Sequence, residues 1–84
     1  MRQAGTVGEF TCAGVYTSAA LLVTGCRLLR VQRVDGTNRV VFVFEDVDDK
    51  PAQTLRQYWD GNLLVDAKRF ADAIYQLRRQ ASTA

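Results

Sequence analysis

The chain has 84 residues, 48 % hydrophobic and 24 % charged, with eleven basic and nine acidic side chains and a net charge of +2. That length holds one domain, which buries roughly 60–65 % of its unfolded surface and has little apolar area to spare. The composition excludes a disordered polymer, and so mild a net charge is no argument by itself for nucleic-acid binding.

Residues 1–10 lack periodicity and contain Gly5 and Gly8, which predicts a flexible N-terminal tail. It offers no continuous apolar block followed by a small-residue cleavage site, so a secretion signal is not expected. From Thr11 the pattern changes. Val15, Tyr16, Ala19, Leu22 and Val23 recur at three- and four-residue spacing, and Gly25 stands where a left-handed residue ends a helix, which predicts a helix over 13–24. The uncharged stretch from Phe10 to Cys26 is too short and too rich in Thr, Ser and Gly to span a bilayer, so a cytoplasmic protein without a membrane partner is expected.

The segment 27–46 reads as a β-hairpin. Runs rich in β-branched and aromatic residues flank Asp35-Gly36, a pair suited to a tight turn. A two-residue loop sets Val31 opposite Val40 and Leu29 opposite Phe42; a four-residue loop, Asp35 to Asn38, keeps the same sidedness. Either way Leu29, Val31, Val40, Phe42 and Phe44 share a face that helices must cover. Leu28, Arg30, Gln32, Val34, Thr37, Arg39, Val41 and Val43 share the other.

Beyond the hairpin, Asp48 or Asp49 is placed to cap a second helix with Pro51 in its first turn, lined by Ala52, Leu55, Tyr58 and Trp59 and ended by Asp60-Gly61. After a short extended link, Asp66 caps a last helix over 67–80 with Ala67, Phe70, Ala71, Ile74 and Leu77 inward; Lys68, Arg69, Asp72, Gln76 and Arg79 face water, and residues 81–84 fray. The expectation is therefore an α+β domain over residues 11–80, in the order α-β-β-α-α, with a two- or three-stranded antiparallel sheet and three helices.

With this pattern in hand, the chain resembles an uncharacterised family of short proteins of unknown function encoded by phages and integrative elements. The blocks that carry the likeness are VYTSAALLVTGCRLL, VDGTNRVVFVFED and QYWDGNLLVDAKRFADAIYQLRR, covering about residues 11–80. Gly25, Leu28-Leu29, Asp35-Gly36, Phe42, Phe44, Val65 and Asp66 stand where the family pattern puts them; Gly14 departs from it, in place of a more usual acidic residue. The resemblance implies the fold and a mobile-element origin, and it lends no catalytic residue.

The chemistry of the side chains argues against an enzyme. Histidine is absent, as are the glycine-rich phosphate cradle and the nucleophile elbow. Cys12 and Cys26 would lie roughly 18–20 Å apart along a helix, beyond disulfide reach, and read as reduced thiols without the further soft ligands a zinc site needs. Cys12, at the expected helix start, reads as a small first-turn residue. Glu45, Asp46, Asp48 and Asp49 follow the hairpin closely enough to suggest Mg²⁺, but leaving a strand and favouring a helix N-terminus explains them more simply. No catalytic residue, metal, cofactor or small-molecule substrate is expected.

Binding is the better expectation. Nine of the eleven basic residues are Arg, and residues 27–44 carry four arginines against one aspartate. Arg30, Gln32 and Arg39 on the open hairpin face, with Lys68, Arg69, Arg78 and Arg79 on the last helix, are candidates for nucleic-acid phosphates. That face has no aromatic stacking platform, because the hairpin's Phe residues lie on the covered side. Val41 and Val43, with Leu28 and an unpaired strand edge, would instead dock a protein or a sister subunit in a homodimer. The first reading is a non-enzymatic accessory protein that binds a macromolecule, including a host defence or replication protein; the second is a dimeric nucleic-acid-binding regulator.

Overall fold

A computed structural model describes residues 8–84. Three strands and three helices follow in the order β1 (Gly8–Cys12), α1 (Val15–Val23), β2 (Leu28–Arg33), β3 (Val40–Asp46), α2 (Lys50–Asp60) and α3 (Ala67–Thr83). The strands form one antiparallel sheet in the order β1-β3-β2, so β3 has a partner on each side. This is the expected α+β architecture with one more strand at its start. Gly8 to Phe10, expected within a tail, and Thr11 and Cys12, expected at a helix start, are β1. The alternation Glu9, Phe10, Thr11, Cys12 explains it: Phe10 and Cys12 point to the core and Glu9 and Thr11 do not. The rest of the expected tail, residues 1–7, lies outside the described residues.

Phe42 and Phe44 are buried, and with Cys12, Leu21, Cys26, Ala73 and Leu77 they make the core between the sheet and the helices. Phe42 pairs with Cys12 and Val31, and Phe44 with Phe10 and Leu28, so one side of the sheet is apolar across all three strands. Arg33 pairs with Val40 and Val34 N–H donates to Arg39 O at 2.9 Å, which selects the four-residue loop Asp35 to Asn38.

The register shifts between Leu28 and Arg30, which leaves Leu29 in a β-bulge. Leu28, expected on the open face, therefore packs against the core, and Leu29, expected inside, is exposed. The spacing requires it. Buried Cys26 and then Leu28 point inward as the chain leaves α1, while Val31 must point inward opposite Phe42. Positions 28 and 31 are an odd number of residues apart, so one residue has to be set outside the ladder.

Helix α1 ends in a left-handed Gly25, φ +100°, with Cys26 N–H donating to Leu21 O at 3.0 Å. Its buried residues are Ser18, Ala19, Ala20 and Leu21, the first three small enough for close approach to its neighbours. Tyr16, expected inward, is 52 % exposed. The helix packs against both α2 and α3, so nearly its whole circumference is apolar and the three- and four-residue spacing does not single out one face.

Asp49 stands at the start of α2, but its side chain makes no capping hydrogen bond. It and Asp48 take left-handed conformations, φ 60° and 55°, as the chain turns from β3 into the helix. Asp residues tolerate that region better than most. Gly61, φ +78°, ends α2, and Trp59 projects outward at 72 % exposure with Tyr58 half-buried beside it, the rings edge-to-face at 5.0 Å. Asp66 caps α3 as expected, its Oδ1 accepting from Arg69 N–H at 2.9 Å. The inward stripe of α3 is Phe70, Ala73, Ile74, Leu77 and Ala81; Ala67 and Ala71 are exposed, and the helix continues to Thr83 rather than fraying from 81. Among the described residues no helix is long and apolar enough to cross a membrane.

Phe44→Ala should cost about 3–5 kcal/mol in urea unfolding, because it opens a cavity among Leu21, Leu77 and Phe42. Trp59→Ala, at an exposed position, should stay within about 0.5 kcal/mol of the parent. Equal effects would contradict this placement of the core.

Candidate functional site

The helices cover one side of the sheet, and strand alternation sends Glu9 and Thr11 of β1, Arg30 and Gln32 of β2 and Val41, Val43 and Glu45 of β3 to the other. The candidate residues therefore fall into two groups. Arg30, Gln32, Val41 and Val43 gather on the open face, with Arg39 just beyond the end of β3. Lys68, Arg69, Arg78 and Arg79 lie on exposed positions of α3, in the helical layer. The two groups do not form one surface.

Arg30, expected as a free cation on this face, is paired, with its side chain about half exposed. Its Nη1 and Nη2 donate to the two carboxylate oxygens of Glu9 at 2.9 and 2.7 Å, and its Nε donates to Gln32 Oε1 at 3.1 Å. Arg30 stands opposite Val43 on β2, and Glu9 stands opposite Glu45 on β1. The two edge strands are separated by β3 and lie roughly 10 Å apart. The fork-to-fork pair therefore crosses the central strand beside Val43.

Val43, expected as a docking residue, is only 2 % exposed, flanked by Thr11 on one strand and Arg30 on the other, and cannot meet a partner. Val41 is half-buried and remains at the surface. With Ala13, Val34, Arg39 and Val40 it lines a shallow depression of about 380 Å³ at the hairpin end of the sheet.

The guanidinium of Arg30 holds the Glu9 carboxyl below the usual glutamate range, chiefly through their hydrogen bond, and Glu9 in turn raises Arg30. In the sequence this partner is hidden, because Glu9 falls in the expected tail. Its signal was the alternation of β1, which puts an acidic residue on the solvent side of a strand.

On α3, Lys68 Nζ meets Asp72 Oδ2 at 3.1 Å, one helical turn away. Arg69 borders a shallow depression with Leu22, Val23, Asp72, Ala73 and Gln76. Arg78 Nη2 donates to Tyr16 Oη at 3.3 Å and its Cζ stands 5.8 Å from that ring's centre; Arg79 Cζ stands 5.7 Å from the centre of the Tyr75 ring. Neither tyrosine was a candidate, because Tyr16 read as a core position and Tyr75 carried no motif.

The thiols sit inside. Cys12 Sγ is 3.0 Å from Thr17 Oγ1 and pairs across the sheet rather than standing in a helical turn, and burial pushes the Cys26 thiol above its ordinary pKa. Strand alternation sends Glu45 to the open face and Asp46 to the covered one. Among the described residues no three acidic, cysteine or histidine side chains converge as a metal site would require.

If the Glu9–Arg30 pair forms in solution, carboxyl NMR should show Glu9 titrating below the usual glutamate range, and Arg30→Gln should move it back up. A depressed folded-state pKa contributes stability above the unfolded glutamate's pKa, and that contribution is lost as pH falls through the folded value. An unchanged Glu9 midpoint in Arg30→Gln would contradict the pair.

Residues 8–83 match the family described as Domain of unknown function (DUF5659), and the chain belongs to it. Searches of the curated proteins and of the solved structures found no match.

Proposed function

We propose that this family member is a small non-enzymatic accessory protein of a phage or mobile element, acting in the cytoplasm by binding another protein through the open side of its sheet. The observation that carries the reading is the one-sided cover: among the described residues all the helices pack on the Phe42/Phe44 face. The opposite face offers Val41, Val34 and Arg39 around a depression. A half-apolar floor with a cationic rim suits an apolar protein surface edged by carboxylates, with Arg39 steering the encounter.

A protein partner is favoured over nucleic acid at this face because Arg30, the cation nearest its centre, is already satisfied by Glu9. The non-enzymatic reading draws on the absence of histidine and on the divergence of Glu45 and Asp46. The mobile-element origin draws on the blocks of sequence that resemble phage and integrative-element proteins.

Immobilised protein should capture a defined partner from lysate of its source cells. Val41→Asp and Arg39→Glu should each weaken that capture about tenfold or more while circular dichroism and melting stay those of the parent. Undiminished capture by both folded variants would refute this surface, and concentration-dependent self-association lost in Val41→Asp would replace the foreign partner with a second copy.

A further inference from the structure

We infer that Tyr16, Tyr75, Arg78 and Arg79 form a strip on the helical layer that binds single-stranded nucleic acid by stacking bases on the two rings and pairing phosphates with the two guanidiniums. The strip is independent of the protein-binding face, because it uses the outer surface of α1 and α3 rather than the open side of the sheet. On α3, Tyr75, Arg78 and Arg79 are three and four residues apart and so are neighbours on the surface. Arg78 reaches across to α1, where its Nη2 meets Tyr16 Oη at 3.3 Å. The result is an alternation of ring and guanidinium: Tyr16, Arg78, Tyr75, Arg79.

Three properties suit this strip to an unpaired strand. Tyr16 and Tyr75 remain 52 % and 64 % exposed, so each ring keeps surface on which a base can lie. Their guanidiniums stand 5.8 and 5.7 Å from the ring centres, within cation–π range, so each platform has a cation beside it for a phosphate. The charge is also of one sign. Helix α3 carries Lys68, Arg69, Arg78 and Arg79 against Asp72 alone, and Lys68 occupies that carboxylate at 3.1 Å.

Two further features extend the strip. Arg33 adds a guanidinium at the helix end, where its Nη2 meets Ala84 O at 2.9 Å. A shallow depression of about 290 Å³ beside Arg79, lined by Gln76, Gln80 and Thr83, offers uncharged donors and acceptors to a base edge. Unpaired strands present the flat faces of their bases, which a duplex keeps stacked, so aromatic platforms favour single strands and tolerate any sequence.

Fluorescence anisotropy of the whole chain with labelled oligothymidylate, oligouridylate and a duplex of equal length tests the assignment, at low and at physiological salt. Both single strands should bind more tightly than the duplex, and affinity should fall with salt. Tyr75→Ala should weaken binding about fivefold or more, with Tyr75→Phe close to the parent. Arg78→Ala with Arg79→Ala should weaken it further, and Arg30→Ala, on the other side of the molecule, should change nothing. Melting curves of each variant separate lost contacts from lost folding. Absence of binding at low salt, duplex binding as tight as single-strand binding, or binding that folded Tyr75→Ala leaves intact would each overturn the proposal.

Discussion

The burial of Phe42 and Phe44 on the middle strand constrains almost everything else. β3 is hydrogen-bonded on both edges, and its two aromatic rings close the space between the sheet and the helices. A protein of this size has too few apolar residues to cover a sheet on both sides, so one face takes the helices and the other must be finished by side chains alone. The bidentate pair between Arg30 and Glu9 does part of that work. It joins the two edge strands across the central one, beside a Val43 that has no helix over it and is nonetheless out of water. The same pair balances a cation at the surface, where both side chains stay about half exposed, so the middle of the open face is neutral rather than basic.

Charge is consequently partitioned. At the open face it is largely balanced near the centre, with Arg39 left at the rim. On α3 four cations face one carboxylate, and two of those cations rest against tyrosines. On the two proposals above, the sheet face with its apolar floor is the side for a protein, and the helical face with its tyrosines is the side for a single strand. The buried thiols Cys12 and Cys26 belong to the core and take no part in either surface.

Much of this was legible in the sequence, and the gaps have physical causes. The hairpin, the inward pair Phe42 and Phe44, the cap at Asp66 and the stops at Gly25 and Gly61 each rest on local chemistry that dictates a conformation. β1 was missed because it is short and follows a glycine-containing segment, and because its stability comes from pairing with β3, thirty-odd residues away in the chain. The exchange of Leu28 and Leu29 was missed because a bulge without glycine leaves no compositional mark; only the conflict between two inward anchors reveals it. Tyr16 was misplaced because a helix packed on several sides has no single apolar stripe. The site suffered most from β1, since without Glu9 the sequence shows Arg30 as an open cation.

The most direct test of the one-sided sheet is a set of nuclear Overhauser contacts from the rings of Phe42 and Phe44. This account predicts contacts to the methyl groups of Leu21 and Leu77, with none to the side chains of Gln32 or Val41. Rings that instead contact Gln32 and Val41, or that contact neither leucine, would contradict the placement of the helices and, with it, both binding surfaces.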